Sequence, residues 1–174
     1  WVPISDVPDF VQKAFVAAED KRFYQHNGLD IRGIIRAFAS GLTSKSRPQG
    51  GSTITQQVVK NLLTGDDLTF ERKIREMVLA VRLEKVLAAD KAKAKQKILE
   101  LYLNFVFLGR ASWGVQMASE SYFGKGVKQL SLSEGAMLAA LTRGPGYYNA
   151  DLHADRLGKR RMYVLSCMRE DGYL

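Results

Sequence analysis

Apolar residues recur at helical spacing along almost the whole chain, and no run of alternating β-branched residues lies between tight turns. That pattern predicts an all-α fold and sets the framework for every candidate residue. Ser5 or Asp6 can cap a first helix with Pro8 in its first turn. Phe10, Ala14, Phe15 and Ala18 form its inner stripe, and it ends near Asp20. The helix thereby delivers Glu19 to its own end, followed by Asp20-Lys21-Arg22-Phe23-Tyr24-Gln25-His26-Asn27-Gly28. Acids, bases, aromatics and a histidine ahead of a turn glycine belong at a mouth rather than in a core, and Glu19 is the candidate for chemistry.

Asp30 caps a second helix with Ile31, Ile34, Ile35, Phe38 and Leu42 on one face and Arg32 and Arg36 near its edges. Such a face suits either core packing or a membrane interface. Residues 41–51 are rich in Gly, Ser and Pro and predict a mobile loop. Ser52 is a good N-cap for a third helix, Thr53 to Leu63, whose early turns hold Gln56, Gln57 and Lys60. A Gly-rich approach to a helix N-terminus fits an anion site, and equally a plain loop and cap. Thr69 caps the longest helix, to about Ala89, roughly 30 Å long. Phe70, Ile74, Met77, Val78 and Val81 share one stripe, while Arg72, Lys73 and Glu76 gather away from it. Taken alone, Arg72 and Glu76 also have the spacing of a surface salt bridge.

Asp90 opens a lysine-rich stretch, Lys91, Lys93, Lys95 and Lys97, which reads as a solvated helical face. Gly109 and Gly114 bracket a turn, a short helix stops at Gly124, and Ser131-Leu132-Ser133-Glu134 has capping-box spacing before an apolar helix through Leu141. Arg143-Gly144-Pro145-Gly146 ends that helix. The last helix, about Asp155 to Met168, carries Lys159-Arg160-Arg161, read as exposed charge.

A length of 174 residues suffices for one compact domain, here taken as 1–174, and no stretch approaches the roughly 20 apolar residues of a membrane span. Starting without Met, the chain reads as a piece of a longer protein. The single Cys167 excludes an internal disulfide and reads as a small buried hydrophobe. The net charge of +8 implies polyanionic company: nucleic acid, a phosphorylated substrate or an anionic membrane.

Four ordered motifs narrow this choice. Glu19, Asp20, Phe23, His26 and Gly28 match E-D-x-x-F-x-x-H-x-G; Gly50, Ser52, Thr53, Gln56 and Gln57 match G-x-S-T-x-x-Q-Q; Arg72, Lys73 and Glu76 match R-K-x-x-E. Lys95, Ile98, Leu99, Tyr102, Leu103 and Asn104 match K-x-x-I-L-x-x-Y-L-N. Over nearly its whole length the chain thus resembles the peptidoglycan glycosyltransferase domain (glycosyltransferase family 51) of class A penicillin-binding proteins and monofunctional peptidoglycan glycosyltransferases.

The resemblance implies a lysozyme-like, two-lobed helical domain with a cleft. It implies polymerisation of lipid II into glycan strands by inverting β-1,4 transfer, with undecaprenyl diphosphate leaving. Glu19 would be the general base on the acceptor's 4-hydroxyl, with Asp20 in support. Arg36, Lys60, Arg72, Lys73 and Arg143 would contact the diphosphate, and Ser52, Thr53, Gln56 and Gln57 would line the substrate site. Glu76 would orient those cations or hold a divalent ion, Mg or Mn, and no organic cofactor is expected. A diphosphate leaves without protonation when cations take up its charge, so one base and a basic cluster suffice.

His26 is expected to brace the turn. Departures from the family pattern are Leu68, where many relatives carry an arginine that Arg75 or Lys45 could replace, a long lysine-rich stretch, and Ala150 in place of a proline. Expected partners are lipid II, the growing lipid-linked glycan, the membrane surface, an attached transpeptidase domain and other cell-wall synthesis proteins. The expected location is the outer face of the bacterial cytoplasmic membrane, with an anchor outside this chain. Two other classes compete: a lysozyme-like lytic enzyme, which would not need the cations, and a basic nucleic-acid-binding module. Phe23, Tyr24 and Tyr102 are not interleaved with the basic runs, so nucleic acid is not expected as a partner.

Overall fold

The computed structural model describes residues 1–35, 51–64, 69–87 and 90–174. Arg36, the expected loop through Gly50, Lys45 and Leu68 lie outside the described residues. Among the described residues the structure is helical, and its one pairing of extended backbone is an isolated bridge between Phe107 and Trp113. The helices are α1 (Asp9–Glu19), α2 (Ile54–Val59), α3 (Phe70–Leu87), α4 (Lys91–Phe105), α5 (Val115–Phe123), α6 (Leu132–Leu141) and α7 (Ala154–Glu170). The chain divides into two compact units, Trp1–Lys21 with Leu99–Leu174, and Arg22–Ile98.

The first unit is an apolar helix packing. α1, α6 and α7 pack on one another, and Val11, Phe15, Leu138, Leu141 and Val164 are fully buried between them. Each such side chain contributes about 2 kcal/mol by leaving water. The Phe15 and Tyr102 rings meet edge to face, with centroids 6.2 Å apart. α6 is buried on most of its circumference because its sequence, Leu-Ser-Glu-Gly-Ala-Met-Leu-Ala-Ala-Leu, is apolar nearly all round. Its capping box forms as expected: the Glu134 amide donates to Ser131 Oγ, and the Ser131 amide donates to Glu134 Oε2 at 2.7 Å. Gly124 stops α5 in the left-handed conformation at φ 66°.

The entry to α1 differs from expectation. Ser5 and Asp6 do not cap it; Ile4–Asp6 forms a separate 3-10 turn, and Pro8 stands at the N-cap without a side-chain bond. The Gln12 amide donates instead to the carbonyls of Ile4 and Val7 at 3.1 and 2.8 Å, tying that turn down. The buried stripe also differs: Ala14 and Phe15 are joined by Val11, Val16 and Ala17, while Phe10 and Ala18 are half-buried, with α6 and α7 both packed on the helix. Cys167 is half-buried rather than buried.

The second unit inverts the usual pattern. Phe23, Ile54, Val58, Val59, Ala80 and Ile98 form its apolar core, yet Glu76, Glu84 and Lys95 are buried with them. On α3 the inward positions are Glu76, Ala80 and Glu84, at i, i+4 and i+8, while Phe70, Ile74 and Val78 face water. Lys95 is therefore not part of a solvated face: its ammonium donates to Glu84 Oε1 at 2.6 Å and lies 4.5 Å from the centre of the Phe23 ring. Lys91, Lys93 and Lys97 are exposed, as expected.

Asp30 caps the helical residues 31–35 through a bond from the Gly33 amide, but Ile31 and Ile35 are exposed. The cap of α2 is Thr53 rather than Ser52, because Thr53 and Gln56 complete a capping box. The expected 53–63 helix is α2 followed by a π-helical turn, Lys60–Thr64.

Candidate active site

Glu19 closes the last turn of α1, where one oxygen, Oε1, accepts a hydrogen bond from Thr142 Oγ1 at 2.6 Å. Asp20 follows as the helix C-cap, buried at 6 % exposure, its amide donating to the Val16 carbonyl at 2.8 Å. Tyr102 of α4 is fully buried nearby, and burial, then the Glu19 and Asp20 carboxylates, raise its phenol well above the usual value. Lys21 pairs with Asp171 just beyond α7, which raises the Lys21 ammonium and fixes the chain leaving Asp20. Arg143, beside Thr142, is exposed.

The segment from Arg22 to Gly28 is held within the second unit. Arg22 pairs with Asp30; burial lifts that carboxyl, but the Gly33 amide and the Arg22 guanidinium together hold it below the ordinary range. His26 is buried, its amide donates to the Arg22 carbonyl, and its ring meets Phe23 edge-on, which suits the bracing part expected of it. Gly28 sits at φ +92°, and a Cβ there would lie 2.7 Å from the Ala80 carbonyl oxygen. Only glycine permits both that conformation and that approach to α3.

The third motif forms one cluster. Glu76 is 2 % exposed at its side chain, so its pair with Arg72 is no surface salt bridge. Arg72 Nη1 donates to Glu76 Oε2 at 2.9 Å, and Lys73 pairs with Glu76 Oε1. Lys73 Nζ also donates to Ser52 Oγ at 2.9 Å, which brings the second motif to the third. The trio of side chains carries two positive charges against one negative, with Lys73 the most open at 39 %. A buried carboxylate thus orients two cations by charge-assisted hydrogen bonds.

The remaining residues of the second motif are spent on structure. Thr53 Oγ1 donates to the Gly28 carbonyl at 2.6 Å, and Gln56, 1 % exposed, completes the cap. Gln57 and Lys60 are half-buried on the same short helix and its π turn. Arg75 is exposed on α3. Among the described residues no group of three or more His, Cys, Asp or Glu side chains converges. Both Glu76 oxygens are engaged by cations, Oε2 by Arg72 and Oε1 by Lys73.

Sequence reading missed two groups. Glu84 was signalled only by its place two turns after Glu76, on the face that holds Ala80. Thr142, at the end of an apolar helix, had no spacing signal.

A model of the family described as Transglycosylase matches residues 1–169. The chain belongs to the transglycosylase family. Membership carries the class of activity, peptidoglycan glycosyltransferase. It is 42 % identical over 173 residues to penicillin-binding protein 1F of Bacillus subtilis, covering 99 % of this chain and 23 % of that protein. It is 45 % identical over 174 residues to penicillin-binding protein 1A of Aquifex aeolicus, covering 100 % and 23 %. The crystal structure of penicillin-binding protein 1A from Haemophilus influenzae superposes with a TM-score of 0.54 at 27 % identity, over 99 % of this chain and 15 % of that one. The all-α, lysozyme-like transglycosylase fold is thus shared, and the chain spans less than a quarter of the curated relatives' length.

Proposed function

We propose that this transglycosylase-family domain polymerises lipid II into glycan strands, with undecaprenyl diphosphate as the leaving group. The observation that carries the reading is the buried Glu76 with Arg72, Lys73 and Ser52 around it. A neutral glycan gives such a cluster nothing to neutralise, whereas a departing diphosphate does. Glu19 takes the proton of the acceptor's 4-hydroxyl, the oxygen attacks the anomeric carbon from the face opposite the diphosphate, and the α linkage becomes β-1,4. Asp20 supports Glu19 from a buried position. Arg72 and Lys73 receive the diphosphate, with Arg36, Lys60 and Arg143 completing the basic set and Ser52, Thr53, Gln56 and Gln57 shaping the site around it. A divalent ion, Mg or Mn, enters only as a counter-ion to the substrate's diphosphate, and no step is routed through it.

The second unit also supports contact with a membrane surface. Phe70, Ile74 and Val78 are 77, 47 and 44 % exposed along α3. A groove of about 470 Å³ beside them is lined by Leu29, Met77 and Val81 and edged by Arg82 and Lys85. An apolar stripe with cations at its edge suits the interface of an anionic bilayer. No helix among the described residues is long and apolar enough to cross a membrane. We propose that the domain works at the outer face of the cytoplasmic membrane, held by an anchor outside this chain, alongside a transpeptidase domain and other cell-wall synthesis proteins.

Incubation with lipid II tests the proposal. The wild-type chain is expected to form polymer, and Glu19→Gln to lose at least about 100-fold in turnover while keeping its fold, as for loss of a general base. Cleavage of preformed glycan without polymerisation would assign the domain to the lytic class, and tight salt-dependent binding of RNA or DNA without lipid II turnover would assign it to the nucleic-acid-binding class.

A further inference from the structure

We infer that Thr142 is a positioning residue for Glu19, a hydroxyl that holds the carboxylate while it is ionised and accepts from it once it is protonated. The inference rests on the proposed role of Glu19 as the base. Thr142 Oγ1 lies 2.6 Å from Glu19 Oε1 and 2.7 Å from the Ala139 carbonyl oxygen. Both neighbours are acceptors when Glu19 is ionised, and a threonine hydroxyl has one proton, so it serves only one of them at a time. After Glu19 gains a proton both short contacts are satisfied together: Glu19 donates to Thr142, and Thr142 donates to Ala139. The geometry therefore accommodates both protonation states of the base without moving a heavy atom.

The bond changes balance. The acceptor's O4–H proton passes to Glu19, the O4 lone pair forms the bond to the anomeric carbon, and the bond from that carbon to the diphosphate oxygen breaks with its electron pair on the diphosphate. The Thr142 proton stays on Thr142 and turns from Glu19 to the Ala139 carbonyl. That carbonyl is available because α6 ends at Leu141, which leaves its last carbonyls without helical partners. Charged and titratable groups near Glu19 include Asp20 and Lys21 on its own segment and Tyr102 on α4; Arg143 follows Thr142 in the sequence, and Asp171 pairs with Lys21. None of these has the donor-and-acceptor hydroxyl placement of Thr142.

Thr142→Val keeps the shape and removes the hydroxyl, while Thr142→Ser keeps the hydroxyl. In steady-state polymerisation of lipid II by the full chain, Thr142→Val is expected to lower kcat about tenfold with KM within about twofold of wild type, the scale of one hydrogen bond lost at a reacting group. Thr142→Ser is expected to retain kcat within about twofold, with the thermal midpoint of both variants within about 2 °C of wild type. Wild-type kcat in Thr142→Val, an equal loss in Thr142→Ser, or a loss confined to KM would each overturn the inference. Absence of polymer from the wild-type chain would instead overturn the proposed function, so the two failures are distinguishable.

Discussion

The two units solve the problem of forming a core in opposite ways. Trp1–Lys21 with Leu99–Leu174 buries Phe15, Leu138, Leu141 and Val164 and keeps its carboxylates Glu19 and Glu134 at helix ends, with Asp20 buried at the cap of α1. Arg22–Ile98 buries Glu76, Glu84 and Lys95 and leaves Phe70, Ile74, Val78 and Val86 in water. By apolar burial alone the second arrangement is unfavourable, since each buried ion costs several kcal/mol in lost hydration. Two demands of the proposed function account for it. An outward apolar stripe suits a lipid interface, and an inward carboxylate aims cations at an anionic ligand. On the proposed function, the second unit is shaped by what it would bind and the first by what it would hold still.

The largest expected effect lies in the buried pair. Glu84 Oε1 accepts from both Lys95 Nζ and Thr55 Oγ1, at 2.6 and 2.7 Å, so three elements meet on one oxygen. Lys95→Met strands the Glu84 charge and should destabilise the chain by about 3–5 kcal/mol in urea unfolding. Adding Glu84→Leu should recover more than half of that loss, leaving about 1 kcal/mol for the Thr55 hydroxyl that loses its acceptor. A loss below about 1 kcal/mol in the single variant would mean that the second unit does not depend on its buried charges, and the contrast between the units would collapse.

How much of this was legible in the chain follows the same division. In the first unit the capping box at Ser131, the stop at Gly124 and the delivery of Glu19 to a helix end are local signals that tertiary packing leaves intact. In the second, helix α3 was legible but its orientation was not. Spacing puts Phe70, Ile74 and Val78 on one stripe, and the usual rule turns that stripe inward; the structure turns Glu76 and Glu84 inward instead. Lys95 was read as solvated because a lysine run carries no mark of a partner in another helix. Ser52 looked like a cap, and Thr53 took that part because Gln56 stands three residues after it, which freed the Ser52 hydroxyl for Lys73. The motif residues themselves were found by resemblance to the family. Thr142 could not be found either way, since its meaning depends on a contact across 123 positions.

A smaller effect tests how the turn after Phe23 is seated within the second unit. Gly28→Ala forces a Cβ to 2.7 Å from the Ala80 carbonyl oxygen at a φ of +92°, and should cost about 2 kcal/mol from backbone strain and displacement of α3. Because the same turn carries the carbonyl that accepts from Thr53, α2 should loosen as well, visible as faster amide exchange at Gln56 and Gln57. An unchanged exchange pattern would mean that Gly28 fills space without coupling α2 to α3.

The smallest effect isolates an edge carboxylate of the first unit. Glu134 is held at about 2, first by the Ser131 amide and then by Lys125, against an ordinary 4.5. A carboxylate whose value is depressed on folding stabilises the fold above its unfolded value, and that contribution disappears as pH falls through the folded one. Its share of stability should therefore be complete above about pH 4.5 and gone near pH 2. Glu134→Gln keeps the capping hydrogen bond but not the charge, and with the side chain 25 % exposed it should cost only about 0.5 kcal/mol at neutral pH. The difference between wild type and variant should shrink to nothing on acidification from pH 4.5 to 2. A gap that persists at pH 2 would show that Glu134 acts through packing rather than charge, leaving the first unit without the peripheral electrostatics that set it apart from the buried pairs of the second.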